Sequence, residues 1–263
     1  MTLVLARDDV NSLRASIEKA QEAARKAFRR SRYVENQYGA RLRRVADYIG
    51  DLVKSSVNVD PMRIRAALER YSVALQPWAE SVSAHMIKSV ADRDRAAWFR
   101  TAGRINRALV EEIENAPIGD VVRALLHDQV NLITSLPLEA AERVHELTLK
   151  AVLKGERAGS IVDEIMRTGE VTRSRASTIA RTETARTASV LTEARAMHIG
   201  SEEYDWITVG DADVRPDHQR LHGRRFRWSD PPVADRRTGA RAHPGQIYNC
   251  RCIAVPVIPL RLQ

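Results

Sequence analysis

The sequence predicts a mainly α protein, with an elongated helical N-terminal region followed by a small α+β C-terminal module of short strands and long loops. Three observations predict it. Strong helix formers dominate the first two-thirds, broken only by isolated glycines and prolines. After Gly200 the pattern changes to alternating β-branched and aromatic residues separated by turn residues. The whole chain of 263 residues is 44% hydrophobic and 29% charged, a globular balance that argues against a disordered, collagen-like or membrane protein.

From Val10 to Val53 only Gly39 and Gly50 interrupt a run rich in Ala, Arg, Glu, Lys and Gln, which fits two long helices or one broken helix. Asp60-Pro61 is a helix start, with aspartate as cap and proline in the first turn. Ile64, Leu68, Tyr71 and Leu75 follow at helical spacing, and Pro77 is expected to end or kink that element. Helix resumes from Ala79 to Glu114, breaks at Asn115-Ala116-Pro117, continues from Ile118 to Ser135, and restarts at Pro137 to reach about Lys154. Gly155, Gly159 and Gly169 mark a loop, short helix and loop, so the expected boundary separates residues 1–154 from a module at 155–263. A further helix spans about Thr172 to His198 and ends at Gly200. Its apolar stripe is Ala176, Ala180, Thr187, Val190, Ala194 and Met197, and Glu183 falls on it. A carboxylate on a burying face must be paired, and Arg186 at i+3 is better placed for that than Arg181.

Beyond Gly200, Tyr204 to Val209 reads as a strand and Gly210 to Asp213 as a turn. Leu221 to Gly223 with Arg225 to Trp228 reads as a hairpin-like piece, Pro231 to Gly239 as an irregular loop, and Cys252 to Val257 as a closing strand. Small loop-rich modules of this kind often need a staple.

The net charge of +8 is concentrated. Arg25, Lys26, Arg29, Arg30, Arg32, Arg41, Arg43 and Arg44 face a single acid, Glu35, across residues 25–44. A basic arm like this is a footprint for phosphates, or a solvated helix face. The N-terminus carries no export-type apolar run, and Ile253 to Leu260 contains two prolines and is far short of the ~20 residues of a membrane span, so no membrane partner is expected. A reducing compartment follows, which disfavours a disulfide between Cys250 and Cys252. On an extended segment their side chains share a face. With His218 and His243 they offer a structural Cys₂His₂ zinc site; the other reading packs the cysteines as small hydrophobes and bonds the histidines to loop carbonyls.

The order of motifs carries a resemblance. Ile179-Ala-Arg181-Thr-Glu183-Thr-Ala-Arg186 is followed by the Trp206 strand and then by Asp213-x-Arg215-Pro216-x-His218-x-x-Leu221-x-Gly223. His243-Pro-Gly245-x-x-Tyr248-x-Cys250-Arg251-Cys252 then closes on Ala254-x-Pro256-Val257. Over about residues 150 to 257 this resembles the Mu F-like minor head protein family of tailed phages, also called phage head morphogenesis proteins. The resemblance implies a virion protein in few copies, associated with the portal and acting in head morphogenesis, DNA packaging or genome delivery. It implies as partners the portal protein, the major capsid protein or scaffold, and packaged double-stranded DNA bound without sequence preference. It also implies a place in the head interior near the portal after assembly in the host cytoplasm. Arg181, Glu183, Arg186, Asp213, Arg215, His218, Gly223, Cys250 and Cys252 are its motif positions here. Unlike relatives that place a cysteine pair before the closing Cys-x-Cys, the first arm here has only His218.

An enzyme is not expected, since no phosphate-cradling glycine loop, nucleophile elbow or paired-histidine metalloprotease helix occurs. The enzyme alternative is a metal-dependent nuclease built on Asp211, Asp213, His218, His222 and His243.

Overall fold

A computed structural model describes residues 22–28, 32–56, 61–103, 107–154 and 161–258. Gly155 and Gly159, Asp60, Arg29 and Arg30 lie outside the described residues. The chain is mainly α. Among the described residues, residues 22–27 are helical, and the helices that follow before the strands are α1 Arg32–Ser56, α2 Pro61–Ala102, α3 Arg107–Glu114, α4 Gly119–Lys154, α5 Val162–Met166 and α6 Thr168–His198. The C-terminal elements are β1 Glu203–Ile207, α7 Pro216–Leu221, β2 Arg225–Arg227, β3 Val233–Asp235, β4 Ala240–Arg241 and β5 Ile253–Pro256. No helix among the described residues is long and apolar enough to cross a membrane.

The residues group into two compact units, each assembled from separate stretches of chain. The helical unit comprises Ser31–Val90 and Gly119–Thr187. Its core starts from the α1 stripe Val34, Tyr38, Leu42, Val45, Ala46, Ile49 and Val53, spaced at three and four residues so that one face is apolar. Ile64, Leu68 and Leu75 of α2, Ile133, Leu136 and Val144 of α4, and Ala176 and Ile179 of α6 are buried in the same unit.

Here the helices run through residues expected to break them. Pro77 lies inside α2 and Pro137 inside α4. An interior proline forfeits one backbone hydrogen bond and costs about 3 kcal/mol. Burial of Leu75 and Ala79 beside Pro77, and of Leu136, Ala140 and Ala141 beside Pro137, offsets that cost over helices of 42 and 36 residues. Near the second proline Ser72 Oγ donates to the Thr134 carbonyl at 2.7 Å, so a side chain serves the backbone there. Gly39 and Gly50 are likewise interior to α1, and Gly169 belongs to the first turn of α6 instead of a loop. Space explains the pair Gly50 and Gly169: a Cβ on Gly169 would sit 2.9 Å from the Gly50 Cα. Along α6, Ala176, Ala180, Glu183 and Thr187 are buried as expected, but Val190 and Ala194 are only half-buried and Met197 is 54% exposed. The 3.6-residue repeat rotates the buried face onto Leu191, Arg195 and Ala196 instead.

The mixed unit comprises the described residues of Met1–Arg30, Ala91–Ile118 and Ala188–Gln263. Its centre is a three-stranded antiparallel sheet in the order β2-β1-β5, with Tyr204 opposite Phe226 and Trp206 opposite Ala254. Strand alternation buries Tyr204 and Trp206 on one face and turns Asp205 to the other, where Arg225 pairs with it at 2.9 Å. Trp98, Ala102, Ile113, Ala196, Ile199, Trp228 and both cysteines complete this core. Two readings are corrected. Leu221 closes a short helix that starts at Pro216 instead of opening a hairpin, because Pro216 is preset for a first helical turn. The stretch expected as an irregular loop contains β3, paired antiparallel with β4. Gly200 ends α6 at φ 71°, with Ser201 N–H donating to the Ala196 carbonyl at 2.9 Å, as the C-terminal glycine predicts.

Inside the mixed unit, Asp94 of α2 and Arg195 of α6 form an ion pair at 6% and 4% exposure, and Thr192 Oγ1 donates to Asp94 at 2.5 Å. Burial pushes the Asp94 carboxyl up to about 6 against the pull of Arg195 and Thr192. Asp94→Ala leaves a buried guanidinium without its counter-charge and should cost about 3–5 kcal/mol in urea unfolding; a loss below about 1 kcal/mol would contradict that account. Gly169→Ala should destabilise by about 1–3 kcal/mol through overpacking against Gly50, whereas an unchanged unfolding midpoint would show that the two backbones separate freely.

Candidate functional site

Helix α7 is opened by Pro216 and presents His218 to the core. The Cys250-Arg251-Cys252 segment leads directly into β5. His218 Nδ1 lies 3.6 Å from Cys250 Sγ and 3.5 Å from Cys252 Sγ. Their donor atoms all fall within 4.8 Å of one another, and the three residues are 1–2% exposed. The two sulfurs do come together, although both cysteines sit just before the strand, Cys250 in a turn closed by its N–H to the Ile247 carbonyl at 3.0 Å. Neither cysteine is in a disulfide. Gly245 N–H donates to Cys250 Sγ at 3.3 Å, and Trp206 packs edge-on to His218 with ring centroids 5.4 Å apart.

Arg251, between the cysteines, points the opposite way and clips the preceding turn. Its guanidinium donates twice to Asp211, at 2.7 and 2.8 Å, and once to Asp213 at 3.3 Å. Arg215 donates to the Tyr248 carbonyl at 2.9 Å, tying the entry of α7 to the loop before Cys250. Gly223, at φ 72°, takes the turn out of α7, and its N–H reaches the Trp206 carbonyl at 2.8 Å, which sets β2 beside β1. The motif positions Asp213, Arg215 and Gly223 thus hold the histidine arm and the cysteine arm together. Sequence reasoning missed Arg251 and Asp211 as clips; the signal was an arginine fixed between two cysteines that face the core.

His243 is a correction. It is buried, but its Nδ1 meets Tyr204 Oη at 3.0 Å, its Nε2 lies 3.7 Å from Glu193, and it packs against the Tyr204 and Trp228 rings. The only group of three metal-type ligands among the described residues is His218, Cys250 and Cys252. Tyr204 lies on the buried face of β1 and supplies the polar partner of His243 at 3.0 Å. Burial lowers the His243 pKa and raises that of Glu193, to which Gln246 donates. His222 accepts from Thr208 N–H at 3.1 Å. Asp211 and Asp213 serve Arg251 while His218, His222 and His243 have separate partners, so the five-residue nuclease constellation is not assembled.

The helical unit contains the other motif. Glu183 is 7% exposed; the Gln129 amide donates to it at 2.7 Å and Arg186 approaches to 3.6 Å, the pairing anticipated from i+3 spacing. Tyr38 Oη donates in turn to Gln129 at 2.9 Å, and Arg186 also donates to Asp128 at 3.0 Å. Arg181 turns outward to Glu35, 3.5 Å away. This is a structural network of fully engaged polar groups.

The basic arm is not one stripe. Arg25 and Lys26 belong to the mixed unit, where Lys26 faces Glu22 at 3.6 Å. On α1, a turn of ~100° per residue spreads the four arginines around the helix. Arg32 and Arg44 are exposed, Arg41 lines a groove with Tyr33 and His85, and Arg43 lies over Gly39. A second basic surface escaped the sequence reading: eight arginines against three aspartates between Arg215 and Arg241, all eight exposed. Glu183→Ala should leave the Gln129 amide buried without its acceptor and cost about 1–3 kcal/mol, with Glu183→Gln recovering most of it in thermal unfolding; equal losses in both variants would mean that the charge, not the acceptor, is what matters.

Residues 142–255 match the family described as Phage Mu protein F like protein. The chain is also 31% identical over 147 residues to an uncharacterized protein of Haemophilus influenzae. That match covers 56% of this chain and 32% of the relative, so the chain spans about a third of the relative's length. No solved structure matches. The matched stretch takes in Glu183, His218, both cysteines and the strands that carry them, and over residues 142–255 the chain is similar to the Phage Mu protein F like family.

Proposed function

We propose that the protein is a structural minor head protein of a tailed phage, which takes part in head morphogenesis. The observation that carries this reading is the family match over 142–255, within which Asp213 and Arg215 tie the histidine and cysteine arms together. In this reading residues 155–263 form the docking module and seat on the portal protein or the adjoining major capsid protein or scaffold. The protein works inside the head near the portal, during DNA packaging or genome delivery, after assembly in the host cytoplasm. It catalyses no reaction.

Charge supports a polyanionic neighbour. The exposed arginines Arg224, Arg227, Arg236 and Arg237, together with Arg32 and Arg44, offer guanidinium groups to phosphates of packaged double-stranded DNA. Such contacts bind any sequence and weaken steeply with salt. An acidic portal surface would meet the same side chains.

Mass spectrometry of purified, nuclease-treated particles should find the chain, and co-expression with the portal protein should co-purify the two. Its absence from particles that contain the portal would refute the reading. In gel shifts the full chain should bind unrelated duplexes equally at low salt and release them as salt rises. Replacing Arg224, Arg227 and Arg237 with serine should weaken that binding without removing portal association, and unchanged DNA affinity would refute the phosphate contact.

A further inference from the structure

We propose that His218 Nδ1, Cys250 Sγ and Cys252 Sγ bind one zinc ion as its three protein ligands, with water as the fourth. The donor spacing carries the assignment. In a tetrahedral site with Zn–S of ~2.3 Å and Zn–N of ~2.05 Å, a sulfur and a nitrogen sit about 3.6 Å apart. The two measured separations are 3.5 and 3.6 Å. That match occurs in a core where the three residues are almost fully buried, on two separate segments of the fold.

The chemistry agrees with the spacing. Nδ1 of a neutral imidazole has one lone pair and faces two sulfurs, and a thiol pair cannot both donate to it along that direction. A single cation uses all three donors at once. Two thiolates and an imidazole are soft donors, which select zinc over magnesium or calcium, and the chain's two cysteines are too few for an iron–sulfur cluster. The Gly245 N–H on Cys250 Sγ stabilises a thiolate. Arg251 with Asp211, and Arg215 with the Tyr248 carbonyl, set the two arms at this separation without touching the donors.

The ligand set differs from the Cys₂His₂ quartet expected from spacing, because Tyr204 and Glu193 hold His243. Zinc here fastens α7 to the start of β5, a staple in a unit whose sheet has three short strands. The site stands whether or not the protein is built into a head, since it depends only on the fold of the mixed unit.

The full chain, purified under reducing conditions without chelator from zinc-supplemented medium, should contain about one zinc by elemental analysis. Cys252→Ser and His218→Ala should lower this at least tenfold, and His243→Gln should keep it. Where a ligand variant fails to fold, the native protein still decides. A thiol-specific mercurial should release zinc to a chromogenic chelator in step with modification of the two thiols, and chelation should lower the melting temperature. Folded native protein with less than about a tenth of an equivalent, another metal in zinc's place, or loss of zinc from His243→Gln would overturn the assignment. Particle incorporation tests the virion reading separately, so either result can fail alone.

Discussion

Three short strands and a hairpin of two- and three-residue strands expose much of their backbone to loops, and loops must be tied to be ordered. The bidentate Arg251–Asp211 pair is the tie on which the rest of the mixed unit depends. It joins the turn after β1 to the segment entering β5. Arg215 repeats the device one step along, holding α7 against the loop before Cys250. Two paired guanidinium contacts thereby place a helix-borne histidine over two strand-end thiols. Remove the ties and His218, Cys250 and Cys252 lie on segments with no reason to meet.

Polar burial is managed differently in the two units. In the helical unit, Tyr38, Gln129, Glu183, Arg186 and Asp128 form a chain in which each charge or amide has a partner, ending at side chains near solvent. The mixed unit instead buries the pair Asp94 with Arg195, links His243 to Tyr204 and Glu193, and lets the aromatic rings of Tyr204, Trp206 and Trp228 fill the space around the histidines. A satisfied network rigidifies because every alternative leaves a donor or acceptor unpaired in low dielectric.

Charge tells a related story. The sequence concentrates attention on residues 25–44, where basic residues outnumber acids eight to one. Helical rotation scatters the α1 arginines, while short strands and turns bring Arg224, Arg227, Arg236 and Arg237 to the surface of the mixed unit.

Much of the fold was legible in the residues themselves. Helix-forming composition, the Gly200 stop, the Tyr204–Trp206 alternation and the pairing of Glu183 with Arg186 depend on neighbours within a few residues, so local rules capture them. The motif order that carries the family resemblance is likewise a property of the chain alone. Tertiary structure decided the rest. Pro77 and Pro137 stay inside helices because distant side chains bury the residues around them. Gly50 and Gly169 are glycines because two backbones approach, which neither helix reveals by itself. His243 leaves the thiols because Tyr204, thirty-nine residues away, offers its hydroxyl at 3.0 Å. The sequence determined which residues were available for pairing; the packed core determined which of them came within reach, because hydrogen bonds and metal ligands are chosen by distances of a few ångströms that spacing along a chain does not encode.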